Sequence, residues 1–467
     1  MKIAFHGAAR TVTGSKHLLT INNGKKILLD CGMFQGMGDR TDALNRDFGF
    51  DPREVDVMIL SHAHIDHCGL IPKLVKEGFP GKIFCTPATR ELSQILLLDS
   101  AEIQEDEIKY ANKKRAMQPI PYMQPLYTVE DAKNCMGHFA EVEYGVWYDV
   151  MEGVKSMFTD AGHIIGSTCV HVVVNENGKE TRLTFSGDVG RYRDVILKSP
   201  EIFPQADYIL IESTYGNSLH DPAETTPDLL LQWINKACVQ KKGKLIFPAF
   251  SVGRTQELLF ALNQLEIENR LPDLDYYVDS PLSIEATEVV KHYPSYFNKT
   301  IQKVMQSDSD PFTFKGLKYI KSVEQSKSLN FQDGPFVIIS ASGMADAGRV
   351  KHHISNNIEN SRNTIVLTGY CEPTSLGGRL MAGAKRVGIF GVEHEVHAEI
   401  GSIRSMSAHG DYEDLSQWLA CQDARQVKQL FLVHGEYEVQ QEFKRRLVKK
   451  GFLDVQIPER HFETGLP

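Results

Sequence analysis

Three imidazoles and a carboxylate fall within six consecutive positions in Ser61-His62-Ala63-His64-Ile65-Asp66-His67, and that density marks a metal-binding candidate. The apolar run Val57-Met58-Ile59-Leu60 just before it has the character of a short buried strand. The polar residues therefore fall at a strand's C-terminal end, where a loop can present ligands. Alternate side chains share a face in extended backbone, so His62 and His64 converge on one ion, and Asp66 and His67 turn toward another. A nitrogen and oxygen donor set favours Zn²⁺ over Mn²⁺ or Fe²⁺. Cys68 adjoins the cluster and is left outside the ligand set. Four ligands cannot close two metal shells, so more His or Asp must come from elsewhere in the chain.

Candidates stand where the count needs them. His163 lies between glycines in Asp160-Ala161-Gly162-His163-Ile164-Ile165-Gly166-Ser167. Asp188 follows a strand-like run in Leu183-Thr184-Phe185-Ser186-Gly187-Asp188-Val189-Gly190. Glycines at such turns let backbone approach an ion closely. His434 ends the run Leu430-Phe431-Leu432-Val433 and precedes Gly435. Glu212 closes a comparable strand end after Tyr208-Ile209-Leu210-Ile211, and His409 lies at a loop-to-helix junction in Ser407-Ala408-His409-Gly410-Asp411, where an imidazole can act as acid or base. Asp30, after Ile27-Leu28-Leu29, has two equal readings, an orienting partner for a ligating histidine or a turn former.

The elements that must position these residues follow from pattern. Asn22-Asn23-Gly24 between two strand-like runs signals a hairpin, so the chain opens as antiparallel sheet. Residues 70–76 and 89–117 have helical character, and a Pro-rich connector covers 119–125. From about 208 to 395 strands and helices alternate with the period of a parallel α/β sheet. Two glycine-rich loops there, 340–349 and 368–379, suit phosphate binding through backbone amides, with Ser251, Arg254, Ser342, Gly343, Arg349 and Arg379 as candidate contacts. Tight turns alone would explain these loops nearly as well.

Composition narrows the class. The chain has 467 residues, 42% hydrophobic and 24% charged, as in an ordinary globular protein with two or three domains. No apolar run approaches the roughly 20 residues of a membrane span, and the start carries no signal-peptide pattern. These features predict a cytoplasmic chain with no membrane association. Eight scattered cysteines without a C-x-x-C pair fit reduced thiols rather than bridges. A net charge of −9 excludes a generally basic nucleic-acid coat. Basic and acidic residues nearly balance from 340 to 410, so any polyanion would rest on metal, amides and a few arginines.

With these residues assembled, the sequence resembles the metallo-β-lactamase superfamily, and within it the β-CASP nucleases. The motif 61–67 is similar to the superfamily's histidine motif. Glu212 looks like motif A, His409 like motif B and His434 like motif C, and the likeness runs over nearly the whole chain. It is closest to the bacterial and archaeal relatives of the pre-mRNA 3′-end-processing endonuclease, though no extra N-terminal RNA-binding domain precedes Met1. The resemblance implies an α/β protein: an αββα sandwich over residues 1–207 and 396–467, with a parallel-sheet β-CASP domain, 208–395, inserted.

It further implies two zinc ions per chain in a cleft between the domains. One would be held by His62, His64, His163 and Asp188, the other by Asp66, His67, Asp188 and His434, with Asp188 bridging. In this family a histidine at motif C goes with RNA, so the implied substrate is RNA, single-stranded, cleaved by hydrolysis. Candidate catalytic residues are His409, Glu212 and Asp66, with His409 protonating the leaving 3′ oxygen and Glu212 holding its other nitrogen. Rival readings are a DNA-directed nuclease, a small-molecule hydrolase or lactonase, a di-iron enzyme and a non-catalytic RNA-binding scaffold. The di-iron branch has Glu where His64 stands. Oligomeric state stays open, a homodimer included, as do endo- against exonuclease action and direction.

Overall fold

The computed structural model describes residues 1–115, 121–176, 178–222 and 225–467. The last residues of the expected 89–117 helix and the first of the expected 119–125 connector lie outside these. The chain forms two compact units. One comprises Met1–Tyr192, Ser199–Leu219 and His409–Pro467; the other comprises Arg193–Lys198 and His220–Ala408.

The first unit holds two seven-stranded sheets. One runs Phe462–Gly465, Lys2–Gly7, Lys16–Thr20, Lys26–Leu29, Val57–Ile59, Lys82–Cys85, Phe139–Glu141. It begins as antiparallel hairpins and turns parallel from Lys26–Leu29 onward. The other runs Val455–Gln456, Gln429–Val433, Tyr208–Glu212, Lys179–Phe185, Thr168–Glu176, Val154–Asp160, Tyr148–Met151. Strand alternation builds the layers. Ile3, Phe5, Ile27, Leu29, Val57 and Ile59 meet Phe158, Val170, Phe185, Leu210 and Phe431 in a core between the sheets. The intervening Ala4, Leu28 and Met58 point the other way, onto Leu74, Leu97 and Tyr127. On the far side of the second sheet Ile209, Ile211, Leu430 and Leu432 pack on Leu415, Trp418, Phe443 and Leu447. That is helix, sheet, sheet, helix.

The second unit is built on a six-stranded parallel sheet in the order Leu317–Tyr319, Tyr276–Val278, Val337–Ser340, Leu245–Pro248, Thr364–Leu367, Glu399–Ser402. Helices such as Arg254–Ile267 and Gly348–Asn357 follow its strands. The unit limits differ from the expected 207/208 and 395/396 for a physical reason. Tyr208–Glu212 lies between Lys179–Phe185 and Gln429–Val433 in the first unit's sheet, and Glu399–Ser402 pairs with Thr364–Leu367 in the second. Among the described residues no helix is long and apolar enough to cross a membrane. All eight cysteines are free, seven of them buried.

Candidate metal centre

The strand Val57–Ile59 delivers the histidine motif, and the backbone then changes state at the right place. His64 is extended, with φ −60° and ψ 145°, and caps the one-turn helix Ile65–Cys68. Residues 62 and 64 thus share a face, and the turn swings Asp66 and His67 away. His163 comes from the turn after Val154–Asp160, where Gly162 and Gly166 have φ of 67° and 82° and the Ser167 hydroxyl accepts from the amides of residues 163 and 164. Gly187, at φ 54°, sets Asp188 beside it. His434 ends the strand Gln429–Val433 in the left-handed region, φ 49°, with its N–H donating to Ala8 O at 2.7 Å. A non-glycine residue held there is strained, as residues at functional sites often are.

These loops assemble adjoining donor groups: His62, His64, His163 and Asp188 in a first, Asp66, His67 and His434 in a second, and Glu212 and His409 close to Asp188 and His434 beside them. In the first group His64 Nδ1 is 3.1 Å from both His62 Nε2 and His163 Nε2, and each of those is 3.4 Å from Asp188 Oδ2. A tetrahedral ion with bonds of about 2.0–2.1 Å needs donors about 3.3–3.4 Å apart, so the set fits a divalent cation. In the second group His434 Nε2 is 3.3 Å and His67 Nε2 is 4.0 Å from Asp66 Oδ2. Asp188 reaches both groups, 3.3 Å from His67 Nε2 and 3.5 Å from His434 Nδ1. His67 Nε2 and Asp188 Oδ1 are buried with no hydrogen-bond partner among the described residues. Buried polar atoms are almost always satisfied, and a cation would satisfy these.

A layer behind the donors sets which nitrogen faces inward. Asp30, fully buried at φ 59°, takes His67 Nδ1 at 2.7 Å and accepts from Ser61 N and Oγ at 2.7 and 2.8 Å. Its orienting reading is therefore the one the geometry supports. Ser61 Oγ is 3.1 Å from His62 Nδ1, and Thr214 Oγ1 is 3.0 Å from His434 Nδ1. Those two hydroxyls were missed in the sequence reading; their signal is a Ser or Thr adjoining a ligand or motif residue at a strand end.

Charge follows burial and neighbours. Burial lowers His62 to about 3 and His64 to about 4, and holds His163 well below the ordinary value, so these imidazoles stay neutral, the form that ligates metal. Burial would raise Asp188, but His434, His67 and His62 hold it well below the carboxylate range. For His67 burial is outweighed by Asp188, Asp30 and Asp66, which push it up. His409 follows the same logic. Burial lowers it, yet Glu212 and Asp188 raise it to about 9. Glu212 is fully buried, accepts from Val189 N at 2.7 Å and Thr214 N at 3.3 Å, and has Oε1 3.1 Å from His409 Nδ1. The side chains of His409 and Asp66 retain 16% and 18% exposure and His64 is partly exposed too, whereas His62, His67, His163, Asp188 and His434 are buried.

The six expected phosphate contacts lie in the second unit's loops. Ser251 is buried, and Arg254, 4% exposed, is ion-paired with Glu257. Arg349 is bound to Asp279 and to Lys321 O, and Arg379 Nε donates to Ser375 O at 3.4 Å. Arg254, buried, and Arg349, partly exposed, are thus each paired with an internal carboxylate, Glu257 and Asp279. Ser342 bridges its own loop through Ala347, and Gly343 packs on the Phe250 ring, where a Cβ would come within 2.6 Å.

Three family models match the chain. Residues 15–237 match the metallo-beta-lactamase superfamily, 255–380 the Beta-Casp domain, and 393–458 the Zn-dependent metallo-hydrolase RNA specificity domain. The chain is similar to Ribonuclease TTHA0252 of Thermus thermophilus, 34% identical over 469 residues covering 100% of both chains. It is also similar to Transcription termination factor FttA of Methanococcus maripaludis, 29% identical over 452 residues, 93% of this chain and 67% of that one. The Cleavage and polyadenylation specificity factor 73 of Drosophila melanogaster is 29% identical over 435 residues, and the match spans 92% of this chain and 59% of that protein.

Proposed function

We propose that this chain, a metal-dependent hydrolase that belongs to the β-CASP group of the metallo-β-lactamase superfamily, is a ribonuclease that hydrolyses RNA phosphodiester bonds with two zinc ions. The observation that carries the reading is Asp188, whose carboxylate lies within 3.5 Å of nitrogens in both donor groups. His62, His64, His163 and Asp188 would hold one ion; Asp66, His67, Asp188 and His434 would hold the other. Bound there, the ions would supply Lewis acidity, activating a water for attack and offsetting charge on the phosphodiester oxygens.

The chain's own residues do the rest. Asp30, Ser61 and Thr214 fix the tautomers of His67, His62 and His434, so the ligating nitrogens face inward. Glu212, anchored on two backbone amides, engages His409 Nδ1 and keeps the imidazole protonated. His409 Nε2 then carries the proton that the leaving 3′ oxygen needs. Being partly exposed, the His409 and Asp66 edge is where substrate reaches the centre. RNA as substrate is supported by the RNA specificity domain model and by a full-length ribonuclease relative.

The test compares end-labelled RNA, single-stranded DNA and a chromogenic lactam under identical metal loading. RNA cleaved well ahead of the other two is the expected result. Preference for DNA or hydrolysis of the lactam would replace the reading with one of its rivals, and the labelled product ends give the mode and direction of cutting.

A further inference from the structure

Both ends of the glycine-rich loop 341–348 are tied to one residue, Asp279, whose side chain is fully buried after the strand Tyr276–Val278. At the loop's entry Ser340 Oγ donates to the Asp279 carbonyl at 2.7 Å, and Asp279 N donates to Ile339 O at 2.9 Å. At its exit Arg349 Nη1 donates to Asp279 Oδ1 at 2.6 Å. One turn on, His353 Nε2 is 2.6 Å from Oδ2, which also accepts from Ser326 Oγ at 2.5 Å. Arg349 and His353 stand four apart on the helix Gly348–Asn357, so one carboxylate grips a single face of the helix the loop runs into. Each clamp member is committed by a second bond: Arg349 Nη2 donates to Lys321 O at 2.8 Å, and His353 Nδ1 is 3.0 Å from Asn330 Oδ1.

The loop leaves the C-terminal end of Val337–Ser340, a strand flanked on both sides in a parallel sheet, and such strand ends are where open α/β sheets take ligands. Charge-assisted bonds to a carboxylate are short and directional, so they define geometry as well as add stability. We propose that Asp279 is a positioning residue for substrate binding: by fixing the entry and exit of 341–348, whose Ser342 amide is committed to Ala347 O at 3.4 Å, it sets the Gly343 amide to meet an RNA phosphate. This inference rests on the ribonuclease reading above.

The experiment uses the metal-loaded full chain and the variant Asp279→Asn, which keeps the side chain's size. KM for single-stranded RNA should rise about tenfold, the equivalent of one lost charge-assisted bond, with kcat within about twofold. Hydrogen exchange of amides 341–348 should accelerate while that of residues 61–69 stays unchanged. Should Asp279→Asn not fold, Ser340→Ala removes only the entry bond and should show both effects at smaller size. Unaltered loop exchange, or faster exchange with KM unmoved, overturns the proposal, the latter because Asp279 would then be a prop and nothing more. If the wild type leaves RNA uncut, the ribonuclease reading falls instead, and the exchange measurement, which needs no substrate, still judges the clamp.

Discussion

At the scale of single residues the account separates donors from the groups that aim them. His409→Ala should lower kcat on RNA by about 10²–10⁴ with metal content unchanged, because His409 moves a proton and is not needed to hold an ion; metal analysis beside steady-state kinetics decides it. Asp30→Ala should instead weaken metal binding by about 10–100-fold, read by competition with a chromogenic chelator. His67 would lose the partner at 2.7 Å that fixes its tautomer. These two residues also mark how far the sequence could be read. Histidines packed into six positions announce themselves through type and spacing, whereas the job of Asp30 depends on a left-handed backbone and a strand neighbour that no linear pattern contains. Arg254 and Arg349 illustrate the converse. An arginine in a glycine-rich stretch looks ready for phosphate, and only the fold reveals Glu257 and Asp279 beside them.

Elements were legible where a period of two or a strong turn signal acted alone. The hairpin through Asn22-Asn23-Gly24 formed with Gly24 at φ 86°, and the strand before the histidine motif starts with its apolar run at Val57 and ends at Ile59, one residue before the run does. Domain limits were less so, because pairing decides which sheet a strand joins, and Tyr208–Glu212 and Glu399–Ser402 look alike in sequence to strands of either unit. Close contact between elements yields a prediction of its own. At Gly32 a Cβ would lie 1.6 Å from Asp66 O, against the segment that carries two expected ligands, while Cys31 N donates to His67 O at 2.8 Å. Gly32→Ala must therefore displace the 63–69 turn. Metal content of the purified variant should fall below half that of the wild type, and a fully loaded variant would show that the turn is not the scaffold we describe.

For the whole molecule two solution properties follow from charge. Burial would raise the Asp279 carboxyl, but bonds from His353, Ser326 and Arg349 outweigh it and hold the group below its ordinary 3.8. A depressed carboxyl stabilises the fold above the unfolded value, and that contribution is lost as pH falls through the folded one. Asp279→Asn should accordingly cost about 2 kcal/mol at pH 7, and the gap to wild type should narrow below about pH 4, measured by urea unfolding across pH. With a net charge of −9 and no basic stripe, RNA affinity should fall shallowly with salt; a slope equivalent to about six or more phosphate ion pairs would contradict that. The central claim, that seven side chains grip two cations that drive RNA hydrolysis, is tested most directly by titrating Zn²⁺ into chelator-stripped protein, with calorimetry and cleavage of end-labelled RNA followed together. The account predicts two ions per chain and cleavage that rises with loading. One ion or none at saturation, or RNA left intact by the fully loaded protein, would contradict it.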